Sequence, residues 1–152
     1  AIARELGDRR SEGINLGNLG DLLLEQGDWE EAGPRIEEAI SIGDETWPVA
    51  AGAFRGSLAL LRLREDRVSE ARALLAQGEE QLRNVHALEL GKLLCKRVQV
   101  EHASGQDAVA HAALSEAESI ASETDTRPDS ELGQAIHSAH QLLGRGSPEE
   151  DQ

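Results

Sequence analysis

Aromatic residues, cysteine and methionine are scarce or absent in this chain. Of 152 residues, Phe54, Trp29 and Trp47 are the only aromatic ones, and neither tyrosine nor methionine occurs. Strands are enriched in aromatic and β-branched residues, whereas this sequence is dominated by alanine, leucine, glutamate and arginine, which favour helices. We therefore expect an all-α protein, and a hydrophobic fraction of 39% is sufficient for a core.

The single cysteine excludes an internal disulfide and, with it, the main mark of a secreted protein. Cys95 lies in a helical pattern, and His102 lies two helical turns away. That separation is too long for the direct hydrogen bond that a Cys–His nucleophile needs. We therefore expect Cys95 to be a buried, unreactive thiol and the protein to be cytoplasmic.

Basic residues are outnumbered by acidic ones, 15 to 29, which gives a formal net charge of −14. Nucleic acids and anionic membranes attract basic surfaces and repel acidic ones. The uncharged stretches of the sequence also fall well short of the roughly 18 to 20 apolar residues that span a bilayer. We expect neither a nucleic-acid partner nor a membrane partner.

Motifs for cofactors, metals and catalysis are lacking as well. Gly13, Gly17 and Gly20 form neither GxGxxG nor a P-loop, because no strand precedes them and no Lys-Ser or Lys-Thr follows. Of the five histidines, only His137 and His140 have a spacing that could share a metal, and zinc needs further ligands. We predict no cofactor, no metal site and no catalytic residues, so that the protein is not an enzyme.

A repeat of 39 residues is the strongest signal that is present. Its aligned small and turn residues are Gly13, Gly52 and Gly91, then Ala32, Ala71 and Ala110, and then Gly27, Asp66 and Gly105. Apolar residues at spacings of three and four flank each turn position, which predicts a helical hairpin in each unit. The predicted units are 13–46, 47–85 and 86–124, followed by a final helix at 129–143 and a disordered acidic tail at 145–152.

Several residues are predicted to begin or interrupt helices. Asp28 and Asp66 are candidate N-caps for the second helices of the first two units, and Asp129 or Ser130 for the final helix. Pro34 lies inside a second helix and is expected to delay or bend it.

The first residues resemble the end of a second helix, since AIARELGD is similar to AISIGD at 39–44. Residues 1–7 are therefore predicted to end a preceding repeat. Because methionine is absent even at position 1, we expect a fragment of a longer protein or a processed chain. Ile2 and Leu6 would then have lost a neighbour and be exposed.

The first unit has large, small and turn residues at characteristic spacings, namely Leu16, Leu19, Gly20, Leu23, Gly27, Trp29, Ala32, Ile36 and Ala39. In this pattern the first unit resembles a tetratricopeptide repeat. The later units depart from the family pattern at Arg55, Arg62, Arg97, Glu101 and Asp107. The resemblance implies that residues 1–144 form a helix-turn-helix superhelix, an α-solenoid of about three repeats with a C-terminal capping helix.

Segments such as LELGKLLCKRVQVEHASGQ are also similar to repeat arrays of multidomain bacterial signalling proteins, including serine/threonine kinases and cyclases. That similarity implies a non-catalytic module within a larger signalling or regulatory protein. Such a module would bind a peptide or helix of a partner protein in its concave groove. The alternative is a scaffold that forms homo-oligomers through the ends of the repeat array.

The first helices of stacked hairpins are expected to line the concave groove. The predicted partner-binding residues are Gly17, Asn18, Asp21, Leu24, Gly56, Ser57, Leu60, Leu63, Lys92, Cys95, Lys96, Gln99 and His102. Gly20 is interpreted as space for close packing of the paired helix around Ala32. Gly17, in contrast, is predicted to face the groove and to leave room for the backbone of a partner.

Overall fold

The computed structural model describes residues 2–144, and side chains from residue 4 onward. This range contains seven α-helices and no strand, which confirms the predicted all-α fold. The helices are α1 (Ile2–Gln26), α2 (Trp29–Thr46), α3 (Pro48–Arg64), α4 (Val68–Leu82), α5 (Ala87–Ala103), α6 (Asp107–Glu123) and α7 (Glu131–Gly144). None of these helices is both long enough and apolar enough to cross a membrane. The predicted tail at 145–152 lies outside the described residues.

The helices pack in chain order as hairpins. α1 pairs with α2, α3 with α4 and α5 with α6, and each second helix also packs against the first helix that follows it. The first helices α1, α3, α5 and α7 form a row, because each contacts the next. Within the described residues, the backbones of α2, α4 and α6 are not in contact with one another. The result is a repeat-like stack of three hairpins and one final helix.

The turns inside the three hairpins share one backbone conformation, as the 39-residue register predicts. Gly27, Asp66 and Gly105 have positive φ angles of 83°, 62° and 76°. A left-handed residue at this point ends a helix and lets the chain reverse. Asp66 is therefore a turn residue, and its predicted role as the N-cap of α4 is wrong. Arg67 occupies that N-cap position, without a side-chain cap bond.

The other predicted helix starts have mixed outcomes. Asp28 is the N-cap residue of α2, but its side chain makes no cap bond. Ser130 does cap α7, because its hydroxyl accepts a hydrogen bond from the Gly133 N–H at 3.1 Å. Pro34 does not delay α2, which already begins at Trp29.

The start of the chain differs from the prediction. α1 runs without a break from Ile2 to Gln26, so the described residues of the segment predicted to end a preceding repeat, 2–7, belong to the same helix as the first unit. The segment 8–12 contains no proline and no glycine that would stop a helix, which explains the continuity. Leu6 is 51% exposed, as expected, whereas the side chain of Ile2 lies outside the described part of the chain.

The apolar core lies between the first and second helices along the whole stack. One cluster centres on Ile36 and Leu61, between α2 and the two first helices beside it. A larger cluster continues through α4, α5 and α6 to α7 around Leu75, Leu94 and Val98, all at most 2% exposed. Burial of such side chains provides roughly 1.5 to 3 kcal/mol each, which makes this core the main source of stability.

Charged contacts join hairpins at the positions that depart from the family pattern. Arg97 donates two hydrogen bonds of 3.1 Å to Glu79 and one of 3.3 Å to Glu101. Glu101 is 3% exposed and also accepts two bonds from Arg72, at 2.8 and 3.1 Å. These contacts connect α4 with α5. Arginine is suited to them because its planar guanidinium binds carboxylates at two points.

Candidate functional site

A hollow of about 300 Å³ lies on the side of the stack where the first helices meet, and all four first helices line it. We refer to it as the inner hollow. Its lining residues are Ile14, Asn18, Asp21, Trp47, Val49, Ala50, Ala53, Phe54, Ser57, His86, Glu89, Lys92, Lys96 and Glu131. Because α1 and α7 both reach it, the row of first helices curves around this space.

The lining follows the 39-residue register in two rows. One row consists of Ile14, Ala53, Lys92 and Glu131, and the other of Asn18, Ser57 and Lys96. The predicted groove was instead centred on the row that contains Gly17, Gly56 and Cys95. The first helices are therefore turned by about one residue position relative to the prediction, since neighbouring positions on a helix differ by 100°.

The two glycines predicted to face a partner are buried between first helices. A Cβ atom on Gly17 would overlap the ring of Phe54 on α3. A Cβ atom on Gly56 would lie 2.7 Å from Cδ1 of Leu93 on α5, in the equivalent contact one repeat later. The prediction that Gly17 leaves room for a partner is therefore wrong, because Phe54 fills that space.

Cys95, the third residue of that row, is 4% exposed, which confirms the predicted buried thiol. Burial raises the pKa of Cys95 to about 11. The thiolate is the nucleophilic form, so this environment makes the side chain unreactive near neutral pH.

The remaining predicted residues line two neighbouring hollows. Lys92, Cys95, Lys96 and Gln99 face α7 across a hollow of about 430 Å³. Leu60, Leu63, Gln99 and His102 line another of about 250 Å³. Leu24 is half-buried and packs against the core of α1–α3 rather than lining any of the three hollows. The hollow beside α7 adjoins the other two, because it shares Lys92 and Lys96 with the inner hollow and Gln99 with the third.

Sequence reasoning missed several lining residues. Ile14, Ala53 and Glu131 lie 39 residues apart in register with Lys92, which was predicted. Extending the register from Lys92 in both directions would have found them. Glu89 lies one helical turn before Lys92, on the same face of α5.

Lys92 is held in place by two carboxylates. Its ammonium lies 2.8 Å from Glu89 and 2.9 Å from Glu131, so that it ties α5 to the start of α7. Burial acts to lower the pKa of Lys92, but the hydrogen bonds to Glu89 and Glu131 outweigh it, and the pKa is raised. This lysine already has its partners.

Lys96 has no such partner. Among residues 4–144, no carboxylate oxygen lies within 4 Å of its ammonium nitrogen. Its aliphatic stem lies over Gly56, where a Cβ atom would be 2.9 Å from Cδ of Lys96. Burial lowers the pKa of Lys96, and the charge of Asp21 acts in the opposite direction. A charged group is thus kept in the hollow without a matching hydrogen-bond acceptor.

Asp21 is the counterpart of Lys96 on α1. Burial raises the pKa of its carboxyl group, while the Ser57 hydroxyl and then the charge of Lys96 act to lower it. Two opposite, partly desolvated charges therefore face the same hollow without forming an ion pair within 4 Å. Perturbed ionisable groups in a cleft are typical of functional sites.

The choice of basic residues also distinguishes the inner hollow. The chain has 15 basic residues, and Lys92 and Lys96 are its only lysines. The other basic residues are arginines. At the hairpin contacts, Arg72 and Arg97 each bind a carboxylate through two N–H groups. Lysine presents a single, strongly hydrated charge, which is held less rigidly than a guanidinium fork.

A metal site is not apparent in the described part of the chain, where no three histidine, cysteine, aspartate or glutamate side chains converge. His86, which lines the inner hollow, caps α5 by accepting a hydrogen bond from the Glu89 N–H at 3.3 Å.

No protein-family model matches the chain, and no curated protein matches it significantly. The inner hollow and its charges are thus the basis for assigning a function.

Proposed function

We propose that this chain is a tetratricopeptide-like, non-catalytic module that binds a short, extended segment of a partner protein in the inner hollow. The observation that carries the proposal is the convergence of four first helices on one hollow with unpaired charges. A surface whose purpose is only to solubilise the protein gains nothing from holding Asp21 and Lys96 partly out of water, since desolvating a charge costs free energy.

The shape of the surface favours a segment of chain over a small metabolite. The inner hollow adjoins the hollow of about 430 Å³, and that hollow adjoins the one of about 250 Å³, so a partner can extend from one to the next along the first helices. Ala50, Ala53 and Phe54 on α3 supply apolar surface, whereas most of the other lining side chains are polar or charged. Polar groups on both sides of α3 can bind the main chain of an extended segment, since main-chain hydrogen bonds supply much of the affinity for extended peptides.

From the resemblance to repeat arrays of signalling proteins, we infer that this module is part of a larger protein. Attached to a catalytic or DNA-binding domain, it would report the presence of the partner or recruit it. This part of the proposal rests on the resemblance alone.

The test is a selection of random peptides from a display library, with the whole chain as the target. We expect an enriched peptide family that binds the natural chain and loses at least tenfold in affinity with Ala53→Leu, which fills the hollow without adding charge. Ala73→Leu, an equal change on the exposed surface of α4, is the matched control and should bind normally. Enriched peptides that bind both variants equally would reject the inner hollow as the site.

Self-association through the first helix is a second candidate, favoured by one observation. Leu22 is 49% exposed, whereas its equivalents Leu61 and Val100 are 1% and 0% exposed. Leu61 is covered by the preceding second helix, where it lies 3.4 Å from the Cβ position of Gly33. Leu22 on the outer face of α1 is therefore exposed at a position that is packed in the two later units. A second copy of the chain that bound to this face would cover it.

Sedimentation equilibrium distinguishes this candidate. A dimer that is lost with Leu22→Gln but kept with Val109→Gln, a substitution of a similarly exposed residue on α6, would support self-association. A monomer at several hundred micromolar would reject it.

A further inference from the structure

The geometry of the inner hollow places Asp21 and Lys96 on opposite sides of a gap. Asp21 is on α1 and Lys96 on α5, and in the described residues these helices pack against α3 but not against each other. α3 supplies the floor between them with the small residues Ala50, Ala53 and Ser57. The gap therefore lies between α1 and α5, with α3 beneath it.

The hydrogen-bonding capacity of the two side chains restricts what can fill the gap. A carboxylate only accepts hydrogen bonds, and an ammonium only donates them. Since Asp21 and Lys96 are more than 4 Å apart, they do not satisfy each other. A group that binds both side chains therefore presents a donor to Asp21, in addition to the Ser57 hydroxyl, and an acceptor to Lys96, on its two opposite sides. The N–H and C=O of a trans peptide unit point in opposite directions in this way.

We propose that the inner hollow recognises an uncharged peptide unit, whose C=O accepts a hydrogen bond from Lys96 and whose N–H donates one to Asp21. The Ser57 hydroxyl, on α3, lies beside Asp21 and is a further donor to it. This inference rests on the proposed function and specifies its ligand: the interior of a peptide chain rather than a terminus.

The charge of the hollow supports a neutral ligand. Asp21, Glu89 and Glu131 supply three negative charges, and Lys92 and Lys96 supply two positive ones. A terminal carboxylate near Lys96 would also approach the three carboxylates, and a terminal amine near Asp21 would approach the two lysines. Like charges repel more strongly in a partly desolvated site than in bulk water. The volume of about 300 Å³ is at the lower end of ligand pockets, roughly 300 to 1,000 Å³, which fits a short segment.

Three small probes with the same side chain test this inference: N-acetylalanine N-methylamide, which is neutral, N-acetylalanine, which is an anion, and alaninamide, which is a cation. Each is titrated into the ¹⁵N-labelled full chain at pH 7 and followed by amide chemical shifts. We expect the neutral probe to shift the amide signals of Asp21, Ser57 and Lys96 with a dissociation constant in the millimolar range. It should bind at least about fivefold more tightly than either charged probe.

Two variants separate recognition from folding. Lys96→Met should abolish the chemical-shift changes at Ser57. Asp21→Asn should reduce the preference for the neutral probe over the anion to about twofold or less, since the Asp21 carboxylate no longer repels the anion. Asp28→Asn, on the exposed N-cap of α2, is the matched control and should keep the preference. Thermal unfolding of each variant verifies that it folds.

The outcomes of the two experiments are distinguishable. If the anion or the cation binds best, the neutral-amide inference is overturned, while the hollow remains a peptide site. A second outcome is that no probe shifts the amide signals of Asp21, Ser57 and Lys96, while the selected peptides still lose affinity with Ala53→Leu. In that case the neutral-amide inference is overturned and the proposed function stands. A library without enriched peptides overturns the proposed function itself.

Discussion

Single small residues set the distance between neighbouring first helices. Gly17 receives the ring of Phe54, and Gly56 receives Leu93 in the equivalent contact one repeat later. Gly20 serves the other side of α1, where a Cβ atom would overlap Ile36 of α2. Gly20 is thus a close-packing glycine, as predicted, although its contact lies one helical turn beyond Ala32. A glycine in a helix costs roughly 0.5 to 1 kcal/mol relative to alanine, and these contacts offset that cost.

Two alanine substitutions in α1 should have opposite effects on stability. Gly17→Ala forces a methyl group into the Phe54 ring and should destabilise the protein by about 1 to 3 kcal/mol. Gly7→Ala has no atom within 4 Å of the new methyl group and should stabilise it by about 0.5 to 1 kcal/mol through helix propensity. Chemical denaturation measures both changes. Equal effects of the two substitutions would mean that Gly17 is not packed against Phe54.

At the scale of helices, buried ion pairs form part of the contact between hairpins, beside the apolar core. Glu101 on α5 is almost fully buried and accepts hydrogen bonds from Arg72 and Arg97, while Arg97 also binds Glu79. Leu23 and Arg62 occupy the positions equivalent to Glu101 in the first two units. Arg62 likewise binds carboxylates, among them Glu37 of α2. The arginines that weaken the family resemblance therefore have a structural role, each linking helices of different hairpins.

Neutralising Glu101 should weaken the contact between α4 and α5. Glu101→Gln leaves Arg97 without one of its two carboxylate partners in a buried setting, and we expect a loss of about 2 to 3 kcal/mol in the free energy of unfolding. Glu116→Gln is the matched control, because its pair with Arg83 is largely exposed and such pairs contribute about 1 kcal/mol or less. Denaturant unfolding of the two variants gives the comparison. A loss no larger for Glu101→Gln than for Glu116→Gln would contradict a structural role for the buried network.

At the scale of the whole molecule, the repeat period predicts the stack but not its curvature. Turn positions such as Gly27 and Gly105 could be predicted because they recur every 39 residues and need a left-handed conformation. The inner face could not be placed, because periodicity identifies the side of a helix that is apolar but not the angle between successive hairpins. That angle depends on particular contacts, such as Phe54 against Gly17, which join residues 37 positions apart. The predicted groove was consequently rotated, and Gly17 was assigned to the wrong surface.

Four first helices curve around one hollow, which keeps Lys96 partly out of water in the same hollow as Asp21. The pKa values of the two lysines test this arrangement directly. In protein labelled with ¹³C-lysine, NMR shows two side-chain signals, and each can be followed as the pH is changed. The variant Lys92→Arg removes one signal and thereby assigns both. Burial lowers the pKa of both, and the hydrogen bonds of Lys92 to Glu89 and Glu131 then raise its pKa past the ordinary lysine value. We expect Lys96 to titrate below the ordinary value and to fall further with Asp21→Asn, since the charge that supports its ammonium is removed. Two lysines that titrate together at the ordinary value would contradict the hollow and the function proposed for it.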